Sequence, residues 1–382
     1  MRLASKPTKE ITLSVRKIRD NTVNFSLRPY ATEIIDLSTN ISLQDLREVL
    51  PGFPDKMVKL QKLGMHRPKG SCQLAPDYSL GKFPSTLESL KLTWMGPLCL
   101  FANKIDTLKE FTFTGDTPEL NHILKFMHKV SSERVILHLT DKGPGTEYES
   151  VLPLDVPVLN DFKSSLVVHC NHKEVIENLI SRIRFSNGAN LEIKPSSQLS
   201  IGLEYILSNV GDIATLPTEA VLDYSTERIK LSGPNGSLTL YSVFPKEVSS
   251  ALEGKYPLSF EKTQQFSLKL PYSTYESFPW PSFNLFGRLP DLETLTIEGN
   301  ISAVLPELLS SLGSRSLRKL ELKDCFLSRA DVELIGELAS GIDTYEPQGT
   351  VTVQWTKRAQ KHSVETGLAK YNSVMVLISR SQ

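Results

Sequence analysis

Residues 292–297 read Leu-Glu-Thr-Leu-Thr-Ile, and residues 317–322 read Leu-Arg-Lys-Leu-Glu-Leu. Both segments fit the pattern L-x-x-L-x-L, in which apolar and polar residues alternate over the last positions. Alternation with a period of two is typical of a β-strand that buries one of its faces. The pattern returns at residues 87–92 and 108–113, and weaker copies begin at positions 34, 60, 135, 191 and 266. The sequence therefore predicts a series of short, half-buried strands.

The spacing of these segments is that of a leucine-rich repeat. Leu60, Leu87 and Leu108 follow one another at 27 and 21 residues, and Leu292 and Leu317 are 25 apart; such repeats run about 20–29 residues. Between the strands the apolar period becomes that of an amphipathic helix, at residues 42–50, 304–313 and 328–338. One strand–helix unit cannot bury its own apolar face, so stacked units share a core. We predict an α/β fold, an irregular leucine-rich-repeat-like solenoid (horseshoe) with a parallel sheet on one face and short helices on the other.

The same patterns divide the chain into three parts. Residues 1–30 contain two alternating segments and are predicted to form an N-terminal cap or edge strands. Residues 31–345 form the solenoid, and residues 346–382, with strands near 351–355 and 374–378, form a C-terminal cap. Within the solenoid, alternating segments flank Pro-Asn-Gly at 234–236, and an Asn-Gly pair between such segments predicts a β-hairpin.

Composition excludes several classes of function. Lys and Arg number 43 and Asp and Glu number 43 among 382 residues, so the formal net charge is zero, and we expect no nucleic-acid partner because no basic field attracts phosphate. The sequence contains no run of 18 uninterrupted apolar residues, so it predicts no membrane span. The polar N-terminus lacks the apolar core of a secretory signal, and the scattered cysteines indicate reduced thiols. We expect a monomeric protein of the cytoplasm or nucleus.

No motif indicates catalysis. The sequence lacks a phosphate-binding loop, a dinucleotide-binding fingerprint and a nucleophile elbow. His169, Cys170 and His172 form a tight cluster of metal-ligand types, but no second ligand pair stands at zinc spacing, and the alternative is a strand that buries Cys170. The basic residues at 357–362 are either a solvated helix face or a nucleic-acid or localisation signal. We predict no enzyme, cofactor or metal; an enzyme with dispersed active-site residues is the alternative.

The candidate site is the set of residues between the core leucines. Side chains alternate across a strand, so these residues face away from the core, on the open concave side. Two interpretations stay open: a protein-binding surface, or the polar face that any solvated sheet has. Trp280, within a proline-rich loop, is a candidate loop anchor. The candidate residues, here called the polar strip, are Lys91, Thr93, Glu110, Thr112, His138, Glu192, Lys194, Lys269, Thr296, Glu298, Lys319, Glu321 and Lys323.

Residues 286–378 resemble the leucine-rich region of fungal F-box proteins, especially the expanded sets of mushroom-forming fungi. The resemblance lies in the two L-x-x-L-x-L segments at 292–297 and 317–322, the acidic helix predicted at 328–341 and the late strands. The hairpin segment at 231–238 is also similar to one in that group. The resemblance implies a protein-recognition role, like that of the substrate-binding region of an F-box subunit in an SCF-type ubiquitin ligase.

One part of the family pattern is missing. Members of that group typically begin with an F-box, a three-helix module that docks on a Skp1-type adaptor, whereas residues 1–30 here alternate like strands. We expect an F-box-less relative, a truncated product or a degenerate copy, with a Skp1-type partner only if an F-box exists elsewhere. The predicted function is non-catalytic recognition of a protein partner. The alternative is a structural or regulatory leucine-rich-repeat scaffold unrelated to ubiquitination.

Overall fold

A computed structural model gives the structure of the protein and shows an α/β fold with a mostly parallel sheet and few helices, which confirms the predicted class. The described residues are 10–13, 32–40, 46, 50, 52–53, 56–66, 84–93, 105–116, 120–128, 130–140, 158–170, 172–195, 203–210, 216–243, 259–270, 288–299, 317–323, 330, 333–334, 350–354 and 374–375. The chain divides into two compact units, Met1–Arg184 and Phe185–Gln382.

The strands and helices alternate irregularly along the chain. The strands are β1 (Glu10–Leu13), β2 (Asp36–Thr39), β3 (Lys62–Met65), β4 (Ser89–Leu92), β5 (Ile105–Asp116), β6 (Val130–Thr140), β7 (Leu159–Phe162), β8 (Ser165–His169), β9 (Ile183–Phe185), β10 (Ala189–Lys194), β11 (Glu219–Asp223), β12 (Arg228–Gly233), β13 (Gly236–Tyr241), β14 (Gln265–Lys269), β15 (Thr294–Glu298), β16 (Lys319–Lys323), β17 (Thr350–Gln354) and β18 (Val374–Met375). Among the described residues, the continuous helices are α1 (Leu120–Met127), α2 (Lys173–Ser181) and α3 (Leu203–Asn209).

In the first unit, seven strands pair in the order β1, β2, β3, β4, β5, β6 and β8. Every neighbouring pair is parallel. The register places Leu63, Leu90, Phe111 and Val135 beside one another, and each is at most 4% exposed. This apolar row is the core face, so the predicted phase of the L-x-x-L-x-L segments is confirmed here.

In the second unit the order is β10, β13, β12, β11, β14, β15, β16, β17 and β18. Strand β12 is antiparallel to both β11 and β13, and the other pairs are parallel. The predicted Asn-Gly hairpin is confirmed, with Gly233 opposite Gly236. Gly236 has φ +140°, and a Cβ there would lie 2.0 Å from the carbonyl oxygen of Ala189. Only glycine therefore lets β13 lie this close to β10.

One hydrogen-bond pattern recurs between neighbouring parallel strands. The carbonyl of Gln61 accepts hydrogen bonds from the N–H groups of both Glu88 and Ser89, at 2.8 and 2.9 Å. The carbonyl of Glu88 accepts in the same way from the N–H groups of Lys109 and Glu110, at 2.8 and 3.1 Å. In the second unit the carbonyls that accept twice are those of Thr218, Gln264 and Glu293. The same backbone geometry therefore recurs in both units, where β4, β14, β15 and β16 begin and within β5.

The described residues cover only part of the predicted helices. Leu46 is helical and its carbonyl accepts from the N–H of Leu50 at 2.8 Å, as expected for the helix at 42–50. Ala330 and residues 333–334 are helical, whereas the helix predicted at 304–313 lies outside the described residues. The predicted late strands are present as β17 and β18. In the part of the chain that the structure describes, no helix is long and apolar enough to cross a membrane.

Candidate functional site

The polar strip lies on the face opposite the core leucines. Leu90 and Leu92 are fully buried, whereas Lys91 between them is exposed. Leu320 and Leu322 are at most 1% exposed, whereas Glu321 between them is half-buried. Strand geometry therefore brings the predicted residues of each unit to one face of that unit's sheet.

In the second unit, oppositely charged side chains of the strip pair with one another. Lys194 Nζ lies 2.8 Å from Glu192 Oε1, within β10. Lys269 Nζ lies 2.7 Å from Glu298 Oε2, across the β14–β15 pair whose register puts these residues side by side. Residues of opposite charge within the strip therefore contact one another directly.

Glu321 is the most strongly held carboxylate of the strip. Its carboxylate lies 2.5 Å from Lys319 Nζ and 3.1 Å from Lys323 Nζ, and the Thr296 hydroxyl donates a hydrogen bond to it at 3.0 Å. Burial alone would raise the pKa of Glu321, but these donors and the Lys323 charge outweigh it and lower that pKa to about 2. Glu321 is therefore ionised at neutral pH and held in place by three neighbours.

Tyr241 adds an aromatic group that the sequence analysis did not include. Its hydroxyl donates to Glu192 at 3.1 Å, and Lys194 Nζ lies 5.2 Å from the centre of its ring, within the range of a cation–π contact. The signal was available, because Tyr241 continues the alternation of Leu238 and Leu240 that defined the hairpin.

Asp223 is a second residue that sequence reasoning missed. Its side chain is 5% exposed, and one oxygen accepts from the N–H groups of Ser225 and Thr226 and from the Ser225 hydroxyl. The other oxygen lies 3.4 Å from Arg228 Nη2. Burial, which raises the pKa of this carboxyl, is outweighed by these hydrogen bonds and by Arg228, so the pKa is lowered. This carboxylate therefore holds the turn between β11 and β12 in place.

In the first unit the row of residues that contains Thr112 also includes apolar side chains. Thr112 is 8% exposed and donates to Glu110 at 3.4 Å, and Glu110 lies 3.9 Å from Arg134. Beyond Thr112 the register continues through Ile136 to Val167, which is 2% exposed. This row of the sheet therefore carries two apolar side chains, Ile136 on β6 and Val167 on β8, two positions before His138 and His169 on the same strands.

Two imidazoles stack beside this apolar pair. His138 and His169 face one another across β6 and β8, with ring centroids 4.2 Å apart and planes inclined by 21°. Burial, and secondly the charge of Lys91, lower the pKa values of His138 and His66. Thr93 follows β4 on the same side of the sheet as Lys91, and its backbone N–H donates a hydrogen bond to the Met65 carbonyl oxygen at 3.1 Å. Lys91 thus acts electrostatically on both His66 and His138.

The cysteine–histidine cluster belongs to the core and to a helix start. Cys170 is 1% exposed and its Sγ accepts from the N–H of His172 at 3.4 Å, where α2 begins. The predicted burial of Cys170 is confirmed. Of the side chains that the structure describes, no three His, Cys, Asp or Glu residues come together as a metal site would require. Trp280 and the basic residues at 357–362 lie outside the described residues.

The sequence was also compared with known proteins. No protein-family model matches the chain, and no curated protein matches it at a significant level.

Proposed function

We propose that this chain is a non-catalytic protein-recognition module, a leucine-rich-repeat-like solenoid that docks a protein partner on the open face of its sheet. One observation carries the proposal: charged side chains are held in fixed positions by their neighbours, as Glu321 is by Lys319, Lys323 and Thr296. A partner that meets fixed side chains loses less entropy on binding than one that must order them. Preorganised mixed charges also favour one partner over others, because like charges brought together repel.

The wider setting follows the resemblance to fungal F-box proteins. We propose that the module acts like the substrate-binding region of such a protein, as a monomer in the cytoplasm or nucleus. The succession of parallel strands with buried leucines supports this reading, because each strand presents its polar residues to the same side. A Skp1-type adaptor enters only if an F-box is supplied elsewhere.

Affinity capture with charge-swapped variants tests the proposal. The double substitution Lys269→Glu with Glu298→Lys reverses an ion pair of the strip while keeping the net charge and the pair itself. The matched control reverses Lys262 and Asp291, which pair at 3.3 Å between elements away from the strip. We expect proteins captured by the wild type and the control to be lost from the strip variant. Equal capture by all three chains would reject the proposal.

A second candidate function is a structural or regulatory scaffold unrelated to ubiquitination. The observation that favours it is the pairing of strip charges in the second unit, where Lys194 and Lys269 already have carboxylate partners. Side chains satisfied within the chain stabilise it without any ligand. Under this alternative the Lys269–Glu298 swap leaves the set of captured proteins unchanged.

A further inference from the structure

Lys91 differs from the other lysines of the polar strip. Lys194, Lys269, Lys319 and Lys323 each lie within 3.1 Å of a carboxylate oxygen. Lys91 is exposed, and no described carboxylate is within ion-pairing distance of its Nζ. It is the one lysine of the strip left to attract an external anion.

The register explains why Lys91 has no carboxylate beside it. Its neighbour on β3 is Gly64 and its neighbour on β5 is Thr112, so neither adjacent strand offers an acidic side chain at that position. Glu110, the nearest described acidic strip residue on β5, is engaged by Arg134 and Thr112. Asp116 occupies a later position of β5, beside Thr140. The charge of Lys91 is therefore not cancelled locally.

The side chains around Lys91 extend this site across the first unit. His66 follows β3, and its Nε2 lies 3.6 Å from where a Cβ on Gly64 would stand. His138 and His169 stack on β6 and β8. Lys91 contributes to the lowered pKa of both His66 and His138, and the positive potential that disfavours a protonated imidazole favours an anion at the same place.

We propose that the face formed by His66, Lys91, His138 and His169 binds an acidic peptide segment of the protein partner. The inference rests on the proposed function and names the chemistry of its partner. These residues lie on or just after β3, β4, β6 and β8, and β5 lies between. With strands about 4.8 Å apart the face spans about 19 Å, which an extended peptide of about six residues crosses. Carboxylates would meet the Lys91 ammonium and the imidazole N–H groups.

Charge complementarity favours carboxylates over a nucleic acid. Nucleic-acid binding requires several cations that each neutralise a phosphate, whereas this face carries one uncancelled lysine, and Arg134 on the neighbouring strand β6 is engaged by Glu110. Imidazoles with lowered pKa values are neutral donors at pH 7. A single cation with neutral donors suits a few peptide carboxylates.

The test measures fluorescence anisotropy of a labelled six-glutamate peptide with the full chain at low ionic strength, where surface attraction is least screened. The matched probes are a six-glutamine peptide and an oligouridylate of equal length. Lys91→Gln is compared with Lys109→Gln, which removes the same charge from a lysine already paired with Glu88 at 3.0 Å. Both lysines are exposed, so thermal melts of the two variants should match the wild type.

We expect the glutamate peptide to bind the wild type and the glutamine peptide not to. We expect Lys91→Gln to weaken binding about three- to fivefold, the range of one exposed ion pair, and Lys109→Gln to leave it unchanged. Equal binding by Lys91→Gln, equal weakening by Lys109→Gln, or tighter binding of the oligouridylate would each overturn the inference. If the peptide fails to bind while capture still depends on the Lys269–Glu298 swap, only this inference falls and the proposed function stands.

Discussion

Replacing Glu321 by glutamine removes the charge that holds Lys319, Lys323 and Thr296 together. The pKa of Glu321 falls from 4.5 to about 2, and at about 1.4 kcal/mol per pKa unit the unscreened stabilisation is about 3 kcal/mol. The lysine side chains are 43% and 37% exposed, so solvent screening reduces this to about 1–2 kcal/mol. Because the folded pKa is depressed, this stabilisation is fully present above pH 4.5 and is lost as the pH falls towards 2.

Urea unfolding followed by circular dichroism measures this contribution. We expect Glu321→Gln to lower the free energy of unfolding by about 1–2 kcal/mol at neutral pH, and the gap to the wild type to shrink as the pH approaches 2. The matched control is Glu293→Gln, because Glu293 meets Arg318 at 3.9 Å with both side chains exposed. Its effect should stay within about 0.5 kcal/mol. Equal stability of Glu321→Gln and the wild type at neutral pH, or a gap independent of pH, would show that Glu321 does not stabilise the fold through its charge.

Three further substitutions test the core and the turns. Leu320→Asp places an unpaired charge at a site that is 1% exposed and should abolish the cooperative melt of the second unit. The control variant Lys323→Asp should still fold. A cooperative melt of Leu320→Asp would show that the side chain of residue 320 does not face the core. Gly236→Ala should lower the free energy of unfolding in urea by more than about 2 kcal/mol, and Gly188→Ala by only about 1 kcal/mol. The reason is that nothing lies within 4 Å of a Cβ at Gly188, although its φ is +90°. Equal losses would contradict the close approach of β13 to β10. Asp223→Ala should cost about 2–4 kcal/mol, because it leaves turn N–H groups and an arginine without their acceptor; a loss below about 1 kcal/mol would argue against that role.

The phase of the strands could be predicted from the sequence because strand alternation is local. Leu295 and Leu320 are buried where the pattern placed them, and the hairpin followed from its Asn-Gly pair. Strand β11 was not predicted, because Glu219–Asp223 is a short apolar segment without the repeated leucine pattern. Its antiparallel pairing with β12 depends on the turn that Asp223 organises. Helix α2 was not predicted, although its buried residues Ile176, Leu179 and Ile180 stand at helical spacing.

The candidate site was predictable as a face but not as a set of contacts. Alternation alone assigned Lys91 and Lys269 to the same side of their strands, since each lies between buried residues. Which lysine has a carboxylate partner depends on the register between strands far apart in sequence. That register sets Glu298 beside Lys269 and Gly64 beside Lys91. The stacking of His138 on His169 has the same origin.

The proposed function requires that the open face of the sheet contacts a protein. Site-specific photo-crosslinking in the native cell tests it, with a photoreactive residue at Thr294, a half-buried position on the open face of β15. The control position is Leu216, which is 49% exposed and precedes β11. We expect a discrete protein adduct at Thr294 that is absent at Leu216. No adduct at Thr294, or the same adducts at both positions, would contradict it.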